Sequence, residues 1–247
     1  MDRLIHTSLS ALKAAMARQT VTANNLANAS TTGFRAEIAS VRPLWLKGAG
    51  LPDRAFASEE VTAADMQGGA VTATGRPLDI ALQGGALLTV QAEDGDEAYT
   101  RRGDLVVSDS GLLTTGDGHP VLGDGGPITL PAADRVTINA DGAVWIVPVG
   151  GDPNLPQQID RLKLASATGS TIVKNIDGLF RVKDGGALPA DPDARLTSHA
   201  LEGSNVNPTT ALVDMIDASR AWDTQVKMLT TAREMDSDTA NLMKLPS

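Results

Sequence analysis

Three histidines, His6, His119 and His199, are the side chains best suited to move a proton near neutral pH. Histidine catalysis needs an acid or a nucleophile within hydrogen-bond reach, and none of the three stands at motif spacing from one. His6 falls inside an N-terminal helical pattern, and the other two lie beside turn sequences. Cysteine is absent, which removes thiol catalysis, thiolate metal ligation and disulfides together. Asp117, Asp124 and Asp141 each adjoin a glycine, as in calcium loops, but the run of oxygen ligands closing on Glu is missing. The Gly-rich turns lack the Gly-Lys-Ser/Thr ending of a phosphate cradle. Arg102-Gly103-Asp104 spells a cell-adhesion tripeptide and reads as a turn. A glycan hydrolase would need a carboxylate pair across a cleft, which no spacing here picks out. No catalytic residue, cofactor or metal is expected, so function must be sought in contact surfaces.

The elements that would present such surfaces lie at the two ends. Ile5, Leu9, Leu12, Met16, Gln19, Ala23 and Leu26 recur at alternating steps of four and three, a seam along one side of a helix. A polar run, Asn28 to Thr32, follows, and Gly33 is placed to take the left-handed conformation that stops a helix. Near the other end Asn207-Pro208 fits a helix start, Asn capping free amides and Pro at the first helical position. Leu212, Met215, Ser219, Trp222, Val226 and Leu229 then repeat the rhythm, which slips and resumes at Ala232, Met235, Thr239 and Leu242. A helix over 208–243 would be about 54 Å long. Neither seam has a core of its own, so the two must pair with each other or with other copies. Spacing alone leaves both possibilities open: a helical hairpin on a monomer, or the ends of a polymerising subunit.

Between the ends, Asp94-Gly95, Ser110-Gly111, Gly116-Asp117-Gly118, Gly123 to Gly126, Asp141-Gly142 and Asp184-Gly185-Gly186 are hairpin turn signals. They separate the short apolar runs 78–82, 87–90, 105–107, 136–138 and 144–149. With aromatics at 3% and 24 glycines, the interior must rest on Leu, Val, Ile and Ala. The expected fold is α+β: discontinuous N- and C-terminal helices pairing as a coiled-coil-like core domain (1–46 with 204–247), a connecting region (47–75 with 190–203) and an outer all-β domain (76–189).

The net charge is −9, yet residues 1–47 hold six basic side chains against Asp2 and Glu37, so this arm is +4 and the remainder −13. An electropositive arm can meet electronegative surface on its own or a neighbouring subunit. Nucleic acid is a poor partner for it, because Phe34 and Trp45 are its only stacking aromatics. No stretch reaches the ~20 apolar residues of a membrane span. His6, Lys13 and Arg18 interrupt residues 4–21, so a cleaved signal peptide is not expected.

The segment from Ala23, with Asn24, Asn25, Leu26, Ala27, Asn28 and then Gly33, Phe34 and Arg35, strongly resembles the signature of the flagellar rod and hook proteins. A second block, Leu201 to Met215, resembles the run before that family's last helix through Glu202, Ser204, Asn205, Val206, Asn207 and Pro208. The stretches from Thr74 and Tyr99 look like the hairpins that open the family's β-domain, although Ala86-Leu87-Leu88 stands where the family usually has Gly-Phe-Phe. Thr209-Thr210 likewise replaces a more acidic helix start, and Trp222 a Tyr or Phe. The opening Met1-Asp2-Arg3-Leu4-Ile5, the Ala29-Ser30-Thr31 variant and the short length are most like a proximal-rod member; distal-rod and hook proteins are the alternatives within the family. A monomeric glycan-binding β-module is the alternative outside it.

The resemblance implies a structural subunit of the basal-body rod in the periplasm, exported without a cleaved signal through the flagellum's type III apparatus. Such a subunit self-assembles into a helical shaft that carries motor torque to the hook. Its partners would be other copies of itself, other rod proteins and the export apparatus, with no nucleic acid and no membrane insertion. The assembly residues are then Leu9, Leu12, Met16, Leu26 and Phe34 at one end, and Leu212, Met215, Trp222, Val226 and Leu229 at the other. Asn24, Asn25, Asn28, Asn205 and Asn207 join them; the first three are expected to knit backbone groups between neighbouring subunits, since buried amides must find partners.

Overall fold

A computed structural model describes residues 2–45 and 55–242. Met1, Lys47, residues 48–54 of the expected connecting region, and the side chains of Arg3, Ile5, His6, Arg42, Trp45 and Leu242 lie outside the described residues. The fold is mixed: in chain order a helix, a series of short strands and a second helix, with the structure mostly β. It divides into two compact units, a helical one of 1–27, 37–62 and 207–247, and a β unit of 28–36 and 63–206.

In the helical unit α1 runs Asp2–Ala27 and α2 runs Pro208–Leu242. The two helices pack on each other, and α1 also packs on the strand Glu37–Trp45, which forms a two-stranded sheet with Ala55–Ala64. These two strands carry no turn signal of the kind that marks the β unit, and the sequence pattern alone gives them no element. The start of α2 is as expected: Asn207 Oδ1 accepts from the amides of Thr209 at 3.0 Å and Thr210 at 3.2 Å. Pro208 takes the first helical position, where its missing N–H costs nothing. The end of α1 differs from expectation. Gly33 is left-handed, at φ 67°, but α1 has already stopped at Ala27, so this glycine does not cap the helix.

The β unit is organised around a five-stranded sheet in the order 164–166, 86–91, 97–100, 180–182, 172–174. Its strand Ala86–Gln91 alternates with period two, Leu88 and Val90 entering the main apolar cluster with Leu105, Leu113, Val144 and Ile146. Leu87 turns to the opposite face with Tyr99, Ala165, Phe180 and Leu188. The sheet is therefore covered on both sides, and Ala86, Leu87 and Leu88 are all buried. A three-stranded sheet, 133–138, 143–148 and 157–161, contributes Ile138, Val144 and Ile146 to the main cluster. Glycines at the expected hairpin signals, including Gly95, Gly111, Gly118, Gly126, Gly142 and Gly185, have positive φ, the conformation that makes glycine the residue of tight turns.

Two further pairings tie the late chain to the early one: 71–73 with 200–202, and 80–82 with 196–198. His199 sits at the break between them in the left-handed region, at φ 60°, and its carbonyl accepts from the amides of Thr74 and Gly75. Residues 190–206 thus belong to the β unit, as do 63–75.

Candidate assembly interface

The helices of the helical unit present two kinds of surface. On α1 the covered side centres on Val21 and Thr22, with Ala11, Ala14 and Ala15 partly covered. Of the seam expected there, Leu12 and Leu26 are half-buried, whereas Leu9 is 43% and Met16 59% exposed, and Gln19 and Ala23 are exposed too. On α2 the covered positions are Ala211, Met215, Ala218, Trp222, Gln225, Leu229 and Ala232, again at steps of four and three. Met215, Trp222 and Leu229 therefore lie where the spacing placed them. Leu212, Ser219 and Val226 are displaced outward by one position in favour of Ala211, Ala218 and Gln225. Small residues allow close backbone approach, and at Ala211 and Ala218 the helix pair places alanine inside while larger aliphatic groups beside them stay outside. Leu212, Val213, Ile216, Met228 and Met235 are each at least half exposed. A groove of about 730 Å³ runs between the helices, lined by Ala11, Ala14 and Ala15 of α1 and by Ala218 and Ala221 of α2, with Arg18, Asp214 and Asp217 among its polar groups.

Asn25, Asn205 and Asn207 bind backbone groups of their own chain. Asn25 donates from Nδ2 to the Glu37 carbonyl at 2.9 Å and accepts the Glu37 amide on Oδ1 at 2.8 Å. Its side chain thereby mimics a paired peptide and fastens the last turn of α1 to the first residue of the following strand. Asn28 Oδ1 accepts from the Thr31 hydroxyl at 3.1 Å. Asn205 accepts the Ala36 amide at 2.7 Å and donates to the carbonyls of Asp65 and Gln67 at 2.9 and 3.0 Å. Within one copy both polar atoms of the Asn25 amide already serve the Glu37 peptide. Asn24 is half-buried and also has an interaction partner.

Sequence patterns give no sign of the centre of the β unit's polar interior. Glu202, 2% exposed, accepts on Oε1 from Arg35 Nη2 at 2.7 Å and the Gly69 amide at 2.9 Å, and on Oε2 from Arg101 Nε at 2.9 Å and Nη2 at 2.5 Å. Arg101 also donates to the carbonyls of Leu82, Gly84 and Ala86. Burial lowers the Arg101 guanidinium pKa from its ordinary value, and the Glu202 charge and hydrogen bonds act against that shift. Arg35, 1% exposed, has no acceptor among the described residues for Nε or Nη1. Arg35 and Glu202 are both visible as members of the two terminal blocks, but charged residues are read by default as solvated, and only contact across 167 positions shows otherwise.

Gly33 closes this arrangement. A Cβ on it would collide with the carbonyl carbon and oxygen of Arg101, so the position excludes any side chain as well as requiring positive φ. Its amide donates to the Glu202 carbonyl at 2.8 Å. Next to it, the Phe34 ring lies under the Lys174 ammonium, 3.5 Å from the ring centre.

The residues weighed for chemistry are tied into the fold in different ways. His119 takes part through its backbone, its amide donating to the Thr115 hydroxyl at 3.2 Å, as His199 does through its carbonyl. Arg102 binds Asp104 in a fork, Nε to Oδ1 at 2.7 Å and Nη2 to Oδ2 at 2.8 Å, so the two charges of the Arg-Gly-Asp triplet face each other. Asp117 accepts from the Thr115 hydroxyl, and Asp141 accepts the Ala143 amide in a turn. Among the described residues no cluster of His, Cys, Asp and Glu is arranged to hold a metal, and no helix is long and apolar enough to cross a membrane.

Comparison with known proteins places these features in a family. Family models match three stretches: "Flagella basal body rod protein" over 5–35, "Flagellar hook protein FlgE/F/G D1 domain" over 81–146, and "Flagellar basal body rod FlgEFG protein C-terminal" over 197–242. The chain is 42% identical to the flagellar basal-body rod protein FlgF of Salmonella typhimurium, over 99% of this chain and 100% of that protein. It is 42% identical to FlgF of Escherichia coli over 94% of each, and 34% identical to FlgF of Caulobacter vibrioides over 95% of each.

Proposed function

The chain belongs to the flagellar basal-body rod protein family, and on that premise we propose that it is a structural subunit of the rod, of the FlgF kind, and not an enzyme. The observation that carries the mechanical reading is the exposure of large aliphatic groups along both terminal helices, which one copy leaves uncovered. Buried apolar area is the main favourable term in protein association, and a chain that keeps alanine for its own helix pair reserves the larger groups for contacts with neighbours.

In this reading the terminal helices pair in a coiled-coil-like manner and form the core of the shaft, joining other copies of the chain and other rod proteins. Leu9, Met16, Leu212 and Val226 meet neighbours, while Leu12, Leu26, Met215, Trp222 and Leu229 hold the pair itself. The β unit, 63–206 with 28–36, stands as the outer domain. A place in the proximal rod follows from the likeness to FlgF. Export through the flagellar type III apparatus and assembly in the periplasm complete the proposal.

Deleting residues 209–247 from the chromosomal copy, with the shortened protein confirmed present, tests it. Loss of swimming, with basal bodies that lack a completed rod, is the expected result. Normal swimming with complete rods would refute it and favour a monomeric glycan-binding module.

A further inference from the structure

The stretch 28–36 is part of the β unit, although the residues on either side of it, 1–27 and 37–62, belong to the helical one. Its hold on the β unit is polar. The amide of Gly33 reaches the Glu202 carbonyl, the amide of Asn205 reaches the Phe34 carbonyl at 3.3 Å, and the amide of Asp65 reaches the Ala36 carbonyl at 2.8 Å. No residue of 28–36 enters either apolar cluster of the described residues. Removing this stretch would leave both apolar clusters intact and vacate only the space of Gly33 and Arg35 beside Arg101 and Glu202.

Glu202 does not need Arg35. Arg101 neutralises its charge through two hydrogen bonds and the Gly69 amide fills the other oxygen, while the remaining donors of Arg101 lie on three backbone carbonyls. That pair is neutral and satisfied by itself. Arg35 adds a second positive charge, fully buried, with Nε and Nη1 unmatched by any acceptor. Its bond to Glu202 is favourable, but burying unmatched donors and an excess charge is costly. The two effects oppose each other, so insertion of Arg35 is close to balanced.

We propose that 28–36 is a strap that opens and closes on an otherwise folded β unit, with Arg35 as its withdrawable plug. With the strap open, Glu202 and Arg101 remain paired, and the residues that follow α1 become a free tether. The strap acts within a single copy and does not depend on how copies assemble.

Hydrogen exchange on the full chain tests it. The amides of Gly33 and Ala36 are expected to exchange through a local opening, at least about tenfold faster than the amides of 86–91, which open only with the unit. Arg35→Met leaves no uncompensated charge and should hold the melting temperature within about 4 °C of the parent. Arg101→Met leaves Arg35 on Glu202 Oε1 but removes every donor from Oε2 and the Arg101 donors from the carbonyls of Leu82, Gly84 and Ala86, and should lower it by about 10 °C. Exchange of the strap at the rate of 86–91, or a loss with Arg35→Met as large as with Arg101→Met, would overturn the proposal.

Discussion

Ile216 and Ala218 are two residues apart on α2 and face opposite ways, the first 52% exposed and the second 4%. An aspartate at each position should therefore produce opposite phenotypes. Fully burying an isoleucine side chain is worth about 1.5–3 kcal/mol, so the exposed half of Ile216 holds about 1 kcal/mol for a neighbour to claim. Ile216→Asp forfeits that and adds a carboxylate that a contact would have to desolvate, for a total loss of about 3 kcal/mol or more per interface. That is a weakening of ~100-fold at each junction, and a shaft repeats the junction along its length. In the isolated chain the same change falls on solvent-facing helix and should move stability by no more than about 0.5 kcal/mol. Ala218→Asp instead forces a charge between α1 and α2, so the purified chain itself should lose helical signal. Circular dichroism melts of both variants, set beside swimming and basal-body images of chromosomal replacements, separate the cases. The expected result is a normal melt with no rods for Ile216→Asp and a damaged melt for Ala218→Asp. Complete rods in the Ile216→Asp strain would refute the assembly reading of this face, and equal melting damage from both would refute the assignment of faces.

Two further outcomes follow from the β unit. Gly33→Ala should destabilise the docked 28–36 segment by about 2 kcal/mol or more, because the new methyl meets the Arg101 backbone and the φ is unfavourable; loss of amide protection at Gly33 and Ala36 would show it, and unchanged protection would mean that docking does not require so close an approach. The Tyr99 hydroxyl pKa is raised from 10.0 to about 12, chiefly by burial, with the Leu188 amide lowering it and Glu97 raising it. The folded chain keeps this proton to higher pH than the unfolded one, so the contribution of Tyr99 is fully present below pH 10 and is lost as pH rises toward 12. Melts on either side of pH 10 should fall more steeply for the parent than for Tyr99→Phe, and parallel profiles would exclude this linkage.

Much of this fold is legible in the sequence because its local signals are strong. Asn207-Pro208 carries both halves of a helix start, and glycines beside Asp or Ser mark the hairpins whose apolar runs become strands. The long strands 37–45 and 55–64 escape such reading because their evidence is a partner strand and not a bounding turn. On α2 the four-and-three rhythm is right, but hydrophobic size is a poor guide to which face is inside. Spacing favours Leu212 over Ala211, whereas close helix approach selects the small residue; nothing in the structure explains why Gln225 is covered in place of Val226. Of the asparagines expected to bind backbone groups, Asn25 does so within its own chain, and a sequence cannot say whose backbone an amide will meet. Asn25 shows the consequence, since the Glu37 peptide that satisfies it is only twelve positions away.

The distribution of side chains inverts the usual pattern of a globular protein, and the inversion is itself an argument for function. The β unit can bury two arginines and a glutamate because an apolar core of Leu, Val and Ile stabilises it independently. Among the described residues of the helical unit, covered positions are rich in Ala and several of the largest aliphatic groups are exposed. Chains selected to remain alone rarely keep such a surface, since it invites association. The same stripe becomes useful once a neighbour covers it, and association then supplies the stability that alanine packing withholds. On the proposed reading the outer face of α2 acts only in association, which is why a substitution there should be silent in a melt of the isolated chain and decisive in a rod.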